Sequence, residues 1–225
     1  MTPEALAALH PRLFHLTAPE ALQGIARHGL LPPLALLELF EADEALRART
    51  LARRAAPVVL THPRHGTATV MDNAPLSDAK LARVLDDGLS PADWRRMLAG
   101  RVFFWPRPED LARLLGARLN RTRPRAALVF DTLSLARAHR DRLEISPINA
   151  GATLRAPARR GLATFAPLSG TDWSAWRRRR GLSAPDRIRE VTVRGPVPDA
   201  MRHVLHVLPD ARRLFVTPPC QGRGP

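Results

Sequence analysis

The chain has 225 residues, enough for one domain with a sizeable core, and its 45% hydrophobic and 25% charged residues are the balance of an ordinary globular protein. No apolar run reaches the ~18 residues of a membrane span, Met1-Thr2-Pro3-Glu4 does not open a secretory leader, and the single cysteine, Cys220, excludes an internal disulfide and a cysteine-based zinc site. The formal net charge of +14 is almost all arginine, Lys80 being the one lysine; it points to a polyanionic partner, DNA or RNA, with the cytoplasm as the expected compartment.

Residues 3–9 read as a short helix or an N-terminal arm, and 12–17 as a strand ending in a polar turn. Pro19 suits the first turn of a helix that carries Leu22, Ile25 and Ala26 on one face and stops at Gly29. Residues 34–55 are strongly helical. Residues 58–60 form a strand, 62–69 a polar loop, 70–73 a short extended piece and 77–85 an amphipathic helix. Ser90 is the N-cap of the next helix, with Pro91 in its first turn and Trp94 and Leu98 on one face. Residues 101–105 are the clearest strand, aromatic and β-branched and stopped by Pro106.

A helix over 108–115, a buried strand over 127–131 and a helix over 132–139 follow. Residues 146–160 are irregular, and 163–165 form a short strand. The arginine run from Arg177 to Arg180 lies in a loop-like segment with Trp173 and Trp176, a phosphate-tracking patch with rings to stack on bases. A strand over 188–193, a turn or short helix over 198–201 and a last strand over 204–208 complete a single domain spanning 1–208, with 209–225 as a flexible tail. Short strands mixed with helices, without βαβ alternation, indicate an α+β fold with mixed or antiparallel sheets. The chain carries no glycine-rich dinucleotide fingerprint, phosphate loop or serine nucleophile elbow. The pairs His62/His65 and His203/His206 lack a carboxylate cluster, so no metal is expected.

Three segments carry a resemblance. Leu13-Phe14-His15-Leu16-Thr17, followed by Leu22, Ile25, His28-Gly29-Leu30 and Pro32, resembles the opening of ADP-ribosyltransferase-fold proteins. Val102-Phe103-Phe104-Trp105-Pro106 before a helix is similar to the fold's second signature. Arg189-Glu190-Val191-Thr192-Val193 before Pro196-Val197-Pro198 looks like the catalytic strand and following turn of the DNA-modifying toxin branch. Residues 68–76, 101–105, 146–155 and 160–165 are also similar to an uncharacterised bacterial family related to the DarT-like toxins, although Met71 stands where that pattern carries arginine.

The resemblance implies two small sheets around a cleft that takes NAD as co-substrate. His15 would touch the nicotinamide-side ribose, the backbone of Leu16 would pair with the carboxamide, and Thr17 would belong to the same cofactor-binding strand end. An aromatic from Phe103, Phe104 or Trp105 would stack on nicotinamide, with Phe104 or Trp105 favoured. Glu190 would be the catalytic carboxylate, with Asn149 reading substrate and Arg155 or Arg160 holding pyrophosphate. Arg64, Asp72, Asn73, Arg160, Trp176, Arg177 and Arg178 are the candidates for substrate or nucleic-acid contact. The activity implied is NAD-dependent ADP-ribosyl transfer, to DNA before RNA. The rivals are an RNA 2′-phosphotransferase, a protein ADP-ribosyltransferase and a non-catalytic basic nucleic-acid-binding module. Neither an antitoxin partner nor a reversing hydrolase is legible.

Overall fold

Two small antiparallel sheets touch at one point. In the computed structural model, which describes residues 1–116, 123–154, 156–179 and 188–215, the Phe14 N–H donates to the Trp105 carbonyl (2.9 Å) and the Trp105 N–H donates back to Phe14 (2.7 Å). That bridge joins a three-stranded to a four-stranded sheet. In the first, β1 (Arg12–Thr17), β5 (Ala126–Asp131) and β9 (Val204–Leu208) lie in the order β1-β5-β9. The second holds β4 (Arg101–Phe104), β6 (Leu143–Ser146), β7 (Ala166–Pro167) and β8 (Glu190–Arg194) in the order β4-β8-β6-β7. A separate hairpin is formed by β2 (Val58–His62) and β3 (Gly66–Val70). Among the described residues all these strand pairings are antiparallel.

Nine helices flank the sheets within the described residues. They are α1 (Pro3–Leu9), α2 (Leu22–His28), α3 (Pro33–Leu39), α4 (Glu44–Leu51), α5 (Asp78–Leu81), α6 (Pro91–Ala99), α7 (Pro108–Gly116), α8 (Thr132–Ala138) and α9 (Trp173–Arg179). The molecule is therefore α+β, as patterning indicates, and no described helix is long and apolar enough to cross a membrane.

Strand alternation decides which side chains reach the core. Val102 and Phe104 on β4, with Val191 and Val193 on β8, enter the main core beside Leu13, Phe130, Leu143 and Ile145. Each such side chain contributes about 1.5–3 kcal/mol through burial. Arg101, Phe103, Glu190 and Thr192 are left on the opposite face. That face is covered by a smaller apolar cluster built on Trp94 of α6, Phe165 and Ala150. α6 is held at its start by a reciprocal cap: the Ser90 hydroxyl accepts from the Asp93 N–H, and Asp93 accepts from the Ser90 N–H.

Gly29 ends α2 with φ of 74°, a conformation that favours glycine. The same residue lets Leu30 and Val197 exchange backbone hydrogen bonds of 3.0 and 2.8 Å, tying this turn to the segment after β8.

Several expectations are corrected. The helical stretch 34–55 is two helices, broken where Glu41 takes φ of 49° and Asp43 caps α4 by accepting from the Leu46 N–H. The expected polar loop 62–69 is mostly hairpin, because the in–out alternation of β2 runs on through polar Thr61 and His62. The helix expected over 77–85 is only α5. A 3-10 turn occupies Leu162–Thr164 where a strand was expected, and β7 begins two residues later. The strand β6, buried at every residue, was not foreseen. The tail does not begin at 209: Ala211–Phe215 forms a 3-10 turn whose buried Ala211 donates its N–H to the Arg125 carbonyl at 2.7 Å. Residues 216–225 lie outside the described residues.

Candidate functional site

β1 and β4 are joined by the Phe14–Trp105 bridge and belong to separate sheets on either side of it. At this junction lies a cleft of about 960 Å³. Leu16 of β1, Phe103 and Trp105 line it from the sheets. Residues of α6 and α7, the stretch 71–76 and the irregular segment 147–160 supply further wall. Arg54, Arg95, Arg101, Arg113, Arg125, Arg160 and Arg189 face the cleft against three carboxylates, Asp72, Asp110 and Glu190. Part of this charge is already matched: Arg101 donates to both oxygens of Glu144, and Arg95 pairs with Asp78. Asp110 accepts from Arg189 on both oxygens (2.6 and 2.8 Å) and from Arg113 (3.0 Å), and Asp72 pairs with Arg123. The excess is positive, and arginine is suited to phosphate by its planar fork of donors.

Glu190 is the first residue of β8 and is only 3% exposed, yet it contributes to the cleft wall. Both of its carboxylate oxygens lie 3.1 Å from the Ala150 N–H, which donates to them. Burial pushes the Glu190 carboxyl up to about 8, against the Ala150 hydrogen bond and the Arg160 charge, both of which lower it. Burial thus wins over one hydrogen bond and one nearby cation. Such a carboxyl holds its proton at neutral pH until a further positive charge arrives.

The other candidate residues are placed as follows. Leu16 lines the cleft, whereas His15 lies on the opposite face of β1 and is not among the lining residues. Its Nδ1 sits 2.9 Å from the Phe103 carbonyl and therefore carries the proton, and its ring tilts against Phe104 at 5.9 Å. Burial lowers the pKa of this imidazole, against the Phe103 carbonyl, which raises it. Thr17, half-buried at the end of β1, also lies off the cleft lining. Phe104 is fully buried edge-on against Phe130, so it is a core residue; Phe103 and Trp105 are the aromatics at the cleft. The reason is alternation: Phe103 and Trp105 share a face with Arg101, and Phe104 points the other way.

Asn149, Asp72 and Asn73 line the cleft, with Asn73 accepting from the Arg54 N–H and donating to the Ala52 carbonyl. Arg160 also lines it, but at 2% exposure its Nε and Nη1 are committed to the carbonyls of Ala158, Ala150 and Ala152. Arg64 is off the cleft, at the β2–β3 turn, 3.7 Å from Glu41. The arginine run begins on α9 rather than in a loop. Trp176 is 5% exposed, stacked on Trp173 and packed in the main core, so it offers no ring to a base. Arg178 is exposed on α9 and is not a cleft residue. Arg155 and the side chain of Arg177 lie outside the described residues.

Sequence reasoning missed Arg54, Arg95, Arg101, Asp110, Arg113, Arg125 and Arg189. Two of them carried a signal: Arg101 lies two residues before Phe103 on the same strand face, and Arg189 adjoins Glu190. The others reach the cleft only through tertiary packing. Trp94 was noted as a helix-face residue, but its Nε1 donor to the Ala150 carbonyl (3.2 Å) was not foreseen.

Away from the cleft, His139, Asp199 and His203 bring their side chains together, the one such grouping with metal-ligand chemistry among the described residues. The His139 Nε2 and Asp199 Oδ1 lie 2.9 Å apart, and His203 Nε2 lies 3.2 Å from Asp199 Oδ2. Arg142 Nη2 faces His139 Nδ1 at 2.9 Å, and guanidinium can only donate. The proton of neutral His139 therefore sits on Nε2, the atom a metal would need free. The group fits a polar clamp between α8 and the turn Ala200–His203 better than a metal centre.

The sequence profile of a family of unknown function (DUF7002) matches residues 11–204. No curated protein and no solved structure matches the chain.

Proposed function

The chain belongs to the DUF7002 family, and from that premise we propose that it is an NAD-dependent ADP-ribosyltransferase with an ADP-ribosyltransferase-like fold, acting on nucleic acid and on DNA before RNA. The observation that carries this reading is the buried carboxylate of Glu190 in a cleft that is also lined by Phe103, Trp105 and an excess of arginine. A cleft of about 960 Å³ is at the upper end of the ~300–1,000 Å³ of small-molecule sites, which suits a dinucleotide.

In this reading the nicotinamide ring lies against Phe103 or Trp105, with Leu16 and Asn149 beside it. The pyrophosphate is held by cleft arginines. Glu190 faces the ribose, where positive charge grows at C1′ as its bond to nicotinamide lengthens. Nicotinamide leaves with the bonding pair, a nucleophile of the acceptor bonds to C1′, and its proton passes to Glu190 or to water. His15 does not touch NAD here; through the Phe103 carbonyl it holds β4 against β1, which sets the positions of Phe103 and Trp105. The raised pKa of Glu190 belongs to this chemistry: the cationic nicotinamide ring favours the ionised carboxylate, so binding releases a proton near neutral pH.

The test is incubation with NAD labelled in its adenylate half and with separate pools of DNA, RNA and protein. Expected are label on DNA, released nicotinamide, and a loss of at least about 100-fold in Glu190→Gln. Full nicotinamide release by Glu190→Gln removes the carboxylate from the mechanism. Label on protein reassigns the acceptor, and NAD-dependent loss of an RNA 2′-phosphate points to the phosphotransferase. DNA binding without nicotinamide release reduces the protein to a binding module.

A further inference from the structure

The only hydrogen-bond donor to the Glu190 carboxylate among the described residues is a backbone N–H, that of Ala150, and Ala150 is itself gripped. Its carbonyl accepts from Trp94 Nε1 at 3.2 Å and from Arg160 Nη1 at 3.1 Å. Arg160 Nη1 reaches the Ala152 carbonyl as well, at 3.1 Å, and its Nε donates to Ala158. The guanidinium lies 5.7 Å from the centre of the Trp94 ring. Trp94, Ala150, Arg160 and Glu190 are all 3% exposed or less.

A buried cation is a costly way to tie a loop, since desolvating a guanidinium takes several kcal/mol and a neutral donor would serve carbonyls as well. The charge has a use if it keeps an anion accessible nearby. Arg189, next to Glu190 in the chain, cannot fill that role because both oxygens of Asp110 already hold it. Arg160 is the cation whose charge acts on Glu190.

We propose that Arg160 and Trp94 are positioning residues for Glu190: by holding the Ala150 carbonyl from two sides, they aim the Ala150 N–H at the carboxylate and fix its orientation in the cleft. The kinetic consequence rests on the reading of Glu190 as the catalytic carboxylate; the orientation itself does not. A merely structural tie would leave the titration of Glu190 untouched. A positioning role ties the two together, because the N–H and the cation both favour the ionised form, and loosening either raises the titration midpoint.

The experiment follows the Glu190 carboxyl by ¹³C NMR in glutamate-labelled protein, in the wild type, Trp94→Phe and Arg160→Lys. Trp94→Phe keeps an aromatic ring and every charge while removing the Nε1 donor, together with part of the ring that packs on Phe165. Its midpoint is expected to rise by about one pH unit, with kcat/KM for nicotinamide release at pH 7 falling about tenfold. Arg160→Lys retains a cation without the guanidinium fork, and its midpoint is expected to rise by a smaller amount. A midpoint unchanged in both folded variants overturns the proposal.

Should the variants not fold, the wild type alone decides. The Ala150 amide resonance must shift with the same midpoint as the carboxyl, and an amide indifferent to that titration overturns the proposal. Coupled titration in a protein that releases no nicotinamide upholds the orientation and sinks the transferase reading instead.

Discussion

Glu190 shows how one buried side chain couples ionisation to stability. Burial pushes its carboxyl up from the usual 4.5 to about 8, so the folded protein binds that proton more tightly than the unfolded chain. The stability this confers is fully present below about pH 4.5 and drains away as pH rises through 8. The total cost at high pH is bounded by about 4–5 kcal/mol, at about 1.4 kcal/mol per pH unit. Glu190→Gln keeps the shape and stays neutral. It is expected to match the wild type near pH 4 and to be more stable by a few kcal/mol at pH 9, read from urea unfolding at the two pH values. An equal difference at both values would mean that the carboxyl does not titrate with a raised midpoint. His15 makes the complementary point. Its setting beside Phe14 and Thr17 marked it as special, but only the fold shows its ring turned toward Phe104 and its Nδ1 on the Phe103 carbonyl.

Among the elements, β1, β4, β5 and β8 were legible because each is a short β-branched or aromatic run bounded by turn residues or proline. α6 was legible from its cap and first-turn proline. β6 was not, since Leu143-Glu144-Ile145-Ser146 is only four residues long with one β-branched residue, too short for its alternation to stand out. Glu144 tolerates its burial because Arg101 donates to both of its oxygens (2.7 and 3.2 Å) and Thr192 adds a hydroxyl at 3.2 Å. The turn after α2 yields a sharper expectation. A Cβ on Gly29 would stand 2.2 Å from the Val197 carbonyl oxygen and would adopt a left-handed φ. Gly29→Ala is expected to cost more than about 2 kcal/mol, combining backbone strain with a clash against main chain. Thermal or urea unfolding measures it. A loss below about 0.5 kcal/mol would mean that the α2 exit is not tied to the Val197–Pro198 segment as described.

For the molecule as a whole, the governing quantity is charge. The chain carries +14, and seven arginines face one cleft against three carboxylates, two of the seven being paired with Glu144 and Asp78 as well. Nucleic-acid binding is then expected to weaken steeply with salt, log K falling by about 0.7 for each neutralised phosphate of a single strand per decade of salt. Titration of a fluorescent oligonucleotide between low and physiological salt reads the slope. A flat response would remove nucleic acid as the acceptor while leaving the NAD site standing. Glu190→Gln should leave that slope unaltered, because its buried carboxyl is mostly protonated near pH 7 and contributes little charge to the cleft.

The amino-acid sequence by itself determined the fold class, the main strands and the excess of arginine, because period, turn chemistry and composition are local properties of a chain. It also singled out Glu190, which does face the cleft. It did not decide which side of each strand meets the ligand, so Phe104 and Trp176 looked available although both are core. Nor could it assemble Trp94, Ala150, Arg160 and Glu190, residues up to 96 positions apart. Which buried donor meets which buried acceptor depends on how the sheets and the 147–160 segment pack, and that is settled only when distant segments exclude water together.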